Sequence, residues 1–219
     1  MVGEAYVTKT SMGRKARRWK RQIAPYERHP YDIAPQSTAL LVIDMQSCFT
    51  SARSHAYLPA SQVIVPNIRR LIARFRAEKR PVVLTRHIDR RGHEGVMGVW
   101  WNGPIYASDP LSRLDPRMDV SGAAVLRKAK YSAFCQTRLD EMLRRKGTRT
   151  VAITGVMTHL CCETTARDAF LHDLQVAFIM DATATQDEAL HLSALRNLAD
   201  GFAEVMTCKE LEERLGWKN

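Results

Sequence analysis

The sequence predicts one α/β domain, a doubly wound and mainly parallel sheet flanked by helices. Three observations lead there. Continuous apolar runs such as Ala39-Leu40-Leu41-Val42-Ile43 read as strands buried on both faces. Segments with apolar residues at helical spacing alternate with those runs, the signature of βαβ units. The chain of 219 residues is long enough for one well-filled core, and no Pro/Gly/Ser-rich linker divides it.

The elements follow in order. After the turn-rich HPYDIAPQS, the first strand ends at Asp44. Residues 61 to 78 carry Val65, Ile68, Leu71, Ile72 and Phe75 on one helical face, and Pro81 to Thr85 is the next strand. A long irregular stretch, 87 to 122, holds Gly92, Gly95, Gly98, Trp100, Trp101 and Gly103, and a loop of that length inside a compact domain is a binding or lid segment. Thr137 to Lys146 then reads as helix, Thr150 to Thr154 as strand, Cys161 to His172 as helix, and Gln175 to Met180 as a strand that ends at Asp181. Residues 187 to 200 form an amphipathic helix, Ala203 to Thr207 the last strand, and Cys208 to Leu215 the closing helix.

Composition narrows the class. Hydrophobic residues make up 45% and charged residues 26%, the balance of an ordinary globular protein, and no apolar run reaches the roughly 18 residues of a membrane span. The formal charge is +10, but residues 1 to 30 hold eight Lys or Arg against two Glu, so +6 of it sits in a basic N-terminal extension. The division expected is residues 1–36 as that extension and 37–219 as the α/β domain. A mobile basic arm suits an anionic partner, or packs on a neighbouring subunit. No aromatic-basic motif elsewhere supports a nucleic-acid function. The start lacks the apolar stretch of a secretory signal, and the five cysteines (Cys48, Cys135, Cys161, Cys162, Cys208) form no CxxC pair. Free thiols in the cytoplasm are expected.

Three reactive residues fall at carboxyl ends of strands, where doubly wound sheets place their sites. Asp44 closes the first strand, Lys128 follows Ala123 to Leu126, and Cys161 follows the Thr150 to Thr154 strand through Gly155-Val156-Met157-Thr158-His159-Leu160. Opening a helix, Cys161 would have its thiol pKa lowered by the macrodipole, and a nearby lysine would lower it further. An aspartate in the same cleft could take the thiol proton and return it to a leaving group.

The blocks LLVIDMQSCF, VLRKAKYSAFCQTRLDEML, and VAITGVMTHLCCETTARDAFLHDLQV followed by MDATAT resemble the three signatures of the isochorismatase-like cysteine hydrolases. That superfamily includes nicotinamidases, N-carbamoylsarcosine amidases and ureidoacrylate amidohydrolases. The resemblance runs from about residue 37 to the C-terminus. It implies Asp44 as general base, Lys128 of K-x-x-Y-S-A-F as the family lysine, and Cys161 of G-V-x-T-x-x-C as nucleophile. It also implies a cis peptide between Val156 and Met157, with an oxyanion hole formed by the N–H groups of Met157 and Cys161. The implied reaction is attack on an amide or ureide carbonyl, loss of ammonia or an amine, and hydrolysis of the thioester. Isochorismatases proper, which cleave a vinyl ether, characteristically lack the nucleophilic cysteine, so C–N hydrolysis is favoured. Ether hydrolysis and a catalytically silent binding or assembly relative stand as alternatives.

Around this set, His87, Trp100, Trp101, Tyr131, Phe134 and His159 are candidates for contact with substrate. Trp100 and Trp101 suit a pocket wall or a subunit contact equally well. Cys162 reads as core, Cys48, Cys135 and Cys208 as structural, and His191 as a surface or interface residue. Neither a dinucleotide fingerprint nor a P-loop occurs, so no cofactor is expected. Nicotinamidases of the superfamily commonly hold a metal through Asp-x-His. Here the order is His87-Ile88-Asp89 and no Asp-x-His exists, so no metal is expected. The resemblance implies a homodimer or homotetramer.

Overall fold

The computed structural model describes residues 3–101 and 103–217. Its single sheet comprises β1 (Thr38–Ile43), β2 (Val82–His87), β3 (Ala124–Lys128), β4 (Thr150–Val156), β5 (Gln175–Ala184) and β6 (Glu204–Met206). All neighbours pair in parallel, in the order β3-β2-β1-β4-β5-β6. The helices are α1 (Met12–Ile23), the single turn α2 (Ser47–Thr50), α3 (Ser61–Ala77), α4 (Gly95–Trp101), α5 (Leu139–Arg145), α6 (Glu163–Leu171), α7 (Glu188–Gly201) and α8 (Cys208–Arg214). None among the described residues is long and apolar enough to cross a membrane.

The central strands β1 and β4 are buried at every residue, which is why they read as unbroken apolar runs. Strand order reverses between them, opening a crevice at their carboxyl ends. Gly155 makes that junction possible. It sits opposite Ile43 with φ of 112°, and a Cβ there would lie 2.0 Å from the Ile43 carbonyl oxygen.

Several boundaries differ from the expectation. β5 continues through Asp181 to Ala184, with a register shift against β4. The Asp181 carboxylate accepts the Cys208 N–H at 2.7 Å and so helps to start α8. The polar side chain does not end the strand because its hydrogen bond is satisfied inside the fold. The stretch 87 to 122 contains the short helix α4 and a 3-10 turn at Pro110–Ser112. Cys161 does not open an α-helix: it lies in a π-helical turn, Thr158–Cys162, and α6 starts at Glu163.

The basic N-terminal segment packs onto the sheet domain. Met12, Ala16, Trp19 and Ile23 recur at helical spacing along α1 and are buried, with Trp19 only 1% exposed. Burying each of the two largest, Trp19 and Ile23, is worth about 2–3 kcal/mol. Two donors from α1 meet one carboxylate at the start of α7: Lys15 Nζ lies 2.5 Å from Glu188 Oε2, and Trp19 Nε1 donates to Glu188 Oε1 at 2.8 Å. The arrangement corrects the picture of a mobile arm. Its apolar stripe is hidden in the sequence by the charges on the opposite helical face.

Candidate active site

Asp44 follows the last residue of β1 and turns the chain with a φ of 47°, a left-handed conformation that aspartate tolerates better than most residues. Thr85 of β2 holds it on both sides: the Asp44 N–H donates to Thr85 Oγ1 at 3.0 Å, and the Thr85 hydroxyl donates to Asp44 Oδ1 at 2.6 Å. The second carboxylate oxygen, Oδ2, lies 2.6 Å from Nζ of Lys128 at the end of β3. The same ammonium donates to the Lys130 carbonyl at 2.9 Å and to Cys161 Sγ at 3.4 Å. Exposures of 0% for Asp44, 2% for Lys128 and 8% for Cys161 put all three out of bulk water.

Burial controls the electrostatics. For Lys128, desolvation alone would lower the pKa, but the Asp44 carboxylate and the Cys161 sulfur outweigh it and hold the ammonium above its ordinary value. For Cys161, desolvation pushes the thiol up to about 12, opposed by Lys128 and reinforced by Asp44. This differs from the expectation of a lowered thiol pKa: desolvation, reinforced by the Asp44 carboxylate, outweighs Lys128 and favours the neutral thiol, with an acceptor facing it. A carboxylate, an ammonium and a thiol in contact can pass a proton from sulfur to carboxylate while the ammonium offsets the remaining negative charge. The Val156–Met157 peptide is cis, and the Met157 carbonyl accepts from Leu160 and Cys162 N–H at 3.1 and 3.2 Å.

Cys161 forms part of the floor of a cavity of about 380 Å³. His87, Trp100, Trp101 and Tyr131 also line it, with Met157 and Leu160 beside the sulfur. Trp101 Nε1 donates to the Tyr131 hydroxyl at 2.5 Å, tying α4 to the loop after β3, while Trp100 is 77% exposed. Two candidates lie elsewhere. Phe134 stacks on His172 with ring centroids 4.8 Å apart, and His159 pairs its Nδ1 with Thr185 Oγ1 at 2.6 Å, behind the turn. His191 is not a surface residue. It is fully buried, 2.9 Å from Thr158 Oγ1, and desolvation pushes its pKa down to about 3, so its ring is neutral.

Three further residues shape the site beyond those candidates. Gln46 donates to the carbonyls of His87 (3.0 Å) and Ser112 (2.8 Å) and accepts the His87 N–H (2.7 Å), binding the ends of β1 and β2 together. Asp89 and Gln186 line the cavity. The Asp89 carboxylate takes His87 Nε2 at 3.3 Å and the Ile105 N–H at 2.7 Å. Although burial alone would raise its pKa, these bonds hold it below the usual carboxylate value. Only the polar residue Gln46 immediately after Asp44-Met45 carried a local signal; the others reach the cavity from loops. Cys48, read as structural, is buried and also lines the cavity. Among the described residues no group of three His, Cys, Asp or Glu side chains could hold a metal ion, and His87 and Asp89 are engaged with each other.

Residues 38–210 match the profile of the isochorismatase domain. The chain is 38% identical over 196 residues to Nicotinamidase 3 of Arabidopsis thaliana, covering 87% of this chain and 94% of that protein. It is 31% identical to Enterobactin synthase component B of Escherichia coli (strain K12), over 85% of this chain and 66% of the relative. In structure it is similar to a cysteine hydrolase from Pseudomonas syringae pv. phaseolicola 1448A, with a TM-score of 0.82 and 29% identity over 85% of this chain and 96% of that one.

Proposed function

The chain belongs to the isochorismatase family of hydrolases, and we propose that it cleaves the C–N bond of a small amide or ureide with Cys161 as nucleophile, Asp44 as proton shuttle and Lys128 as their shared counter-charge. The observation that carries this reading is the position of Lys128 Nζ, 2.6 Å from Asp44 and 3.4 Å from a cysteine sulfur that opens on a cavity.

The steps follow from the protonation states. Asp44 takes the thiol proton as Cys161 sulfur bonds to the substrate carbonyl carbon, and the carbonyl electron pair moves to oxygen. The Met157 and Cys161 N–H groups receive that oxyanion, and each such donor is worth about 3 kcal/mol of barrier. The C–N bond then breaks, the nitrogen leaves with the proton from Asp44, and a thioester forms. Asp44 next takes a proton from water, whose oxygen attacks the thioester. The carboxylic acid departs, or for a ureide, whose intermediate is the corresponding thiocarbamate, the carbamic acid, and the thiol recovers its proton. No added cofactor enters these steps.

The charge of the walls points to the substrate. Asp89 is a lining carboxylate, and among the described residues no Lys or Arg lines the cavity, whose walls are mainly apolar and aromatic. Such a pocket favours an uncharged carboxamide or ureide over one that carries a carboxylate. The Cys161 thiol favours this chemistry over the vinyl-ether hydrolysis also found in the family. The exposed Val96, Val99 and Trp100 on α4 support association of copies, as a homodimer or homotetramer. The five free cysteines suit the cytoplasm.

Ammonia release from matched pairs of neutral amides and carboxylate-bearing ureides tests both parts. Turnover confined to neutral members is expected. Turnover of carboxylate-bearing members alone would refute the charge argument, and a fully active Cys161→Ala protein would refute the nucleophile.

A further inference from the structure

The turn that carries Cys161 is gripped from behind as well as opened in front. Its first two residues are both tied down away from the cavity: Thr158 Oγ1 to His191 Nδ1 at 2.9 Å, and His159 Nδ1 to Thr185 Oγ1 at 2.6 Å. Both anchors are backed by the N-terminal segment. The Trp19 ring lies 4.5 Å from the His191 ring and the Tyr6 ring lies 5.8 Å from it, while the Tyr6 hydroxyl accepts the Thr185 N–H at 3.2 Å. Trp19 is itself fixed by its bond to Glu188, one helical turn before His191 on α7. Further upstream, Gly3 N–H donates to the Tyr57 carbonyl at 2.9 Å and Glu4 N–H to the Gln186 carbonyl at 2.6 Å, so the same segment joins two loops that flank the cavity.

We propose that His191 is a positioning residue for the Thr158–Cys162 turn, and that Tyr6 and Trp19 make the N-terminal segment part of the active-site scaffold by fixing the His191 ring. The proposal rests on Cys161 being the nucleophile. An aromatic cage of this kind would accept phenylalanine equally well if packing were its only task. An imidazole is costly to bury, and here its Nδ1 meets the hydroxyl that follows Met157 while the ring also interacts with the Met180 backbone of β5. Either neutral tautomer keeps that bond, because a hydroxyl both donates and accepts. Fixing Thr158 fixes the path of the backbone from Met157 to Cys161. That path sets both the oxyanion donors and the reach from Cys161 sulfur to Lys128, and a displacement of the order of 1 Å in such groups costs about a hundredfold in rate.

The test uses the full chain and four variants: His191→Phe, which keeps volume and removes the bond; His191→Asn, which keeps a polar atom near Nδ1; Thr158→Val, which removes the bond from the other side; and Trp19→Leu. Each is read by its melting temperature, by the rate of iodoacetamide labelling at Cys161 without substrate, and by kcat and KM on a neutral amide. Expected for His191→Phe is a folded protein whose kcat falls about tenfold or more, with KM within about twofold and an altered labelling rate. Thr158→Val should match it, His191→Asn should recover most of the loss, and Trp19→Leu should shift kcat in the same direction by less. A folded His191→Phe with unchanged kcat and labelling, or His191→Asn as impaired as His191→Phe, overturns the proposal. Should His191→Phe not fold, Thr158→Val decides by the same criteria. Unchanged kcat in Trp19→Leu removes the N-terminal part. Failure of the nucleophile reading shows separately, as turnover retained by Cys161→Ala, and the labelling rates still report on the turn.

Discussion

The carboxyl ends of β1 and β4 and the segment 87–122 face the same cavity but are built from opposite materials. The strand ends are buried throughout, and each reactive group there has partners: Asp44 has Thr85 and Lys128, Lys128 has Asp44, Lys130 and Cys161, and the Cys161 turn has His191 behind it. Helix α4 on the other side has no buried residue and exposes Val96, Val99 and Trp100, and Gly92 before it and Gly95 at its first position take left-handed φ values of 73° and 63°. Its tie to the floor is the bond from Trp101 to Tyr131. The difference teaches where each property resides. Bond-breaking groups need fixed distances, which only a packed sheet supplies, whereas substrate choice needs a wall that can vary without unfolding the domain.

The comparison breaks first at its strongest point. Cys161→Ala should lower kcat by roughly a thousandfold or more while leaving the melting temperature nearly unchanged. Steady-state ammonia release with calorimetry checks both, and a parallel loss of stability would mean the sulfur is chiefly core. Next, Lys128→Met should destabilise by about 3–5 kcal/mol, because it strands the buried Asp44 carboxylate. In denaturant unfolding, the double variant Asp44→Asn/Lys128→Met should regain much of that stability and none of the activity.

The backing of the floor gives a pH signature. His191 has a folded pKa of about 3, depressed below its ordinary value near 6.5, so the unfolded chain takes up the proton first. Its contribution to stability is therefore full above about pH 6.5 and declines by about 1.4 kcal/mol per pH unit as pH falls toward 3. Unfolding curves across that window should be flatter for His191→Phe than for the wild type. The smallest effect belongs to the lid. Tyr131→Phe removes the Trp101 bond, whose net worth is about 1 kcal/mol, so KM should rise a few-fold with kcat and melting temperature unchanged. A loss of stability comparable to that of Lys128→Met would erase the contrast between floor and lid.

Much of this was legible in the residues. The runs at 39–43 and 150–154 announced central strands because a strand buried on both faces needs no polar alternation, and doubly wound sheets put reactive side chains at such strand ends. Asp44, Lys128 and Cys161 stood in motif blocks, and the structure brings them into contact. Phe134 and His159, read from the same blocks, instead point into packing on other sides of their turns. The N-terminal segment misled because eight cations among thirty residues mask four apolar ones at helical spacing. His191 misled because one histidine on an amphipathic helix carries no sign of what covers it.

Local sequence thus determined the strands, the order of the units and the reactive residue types, since these depend on periodicity and on neighbours a few positions away. Tertiary structure alone decided that Cys161 rests as a buried neutral thiol, that Asp89 and Gln186 join the cavity wall, and that Trp19 closes over His191. Each of those depends on desolvation or contact between segments far apart in the chain. Trp19 and His191 are the clearest case, 172 residues apart in sequence with their rings 4.5 Å apart in space.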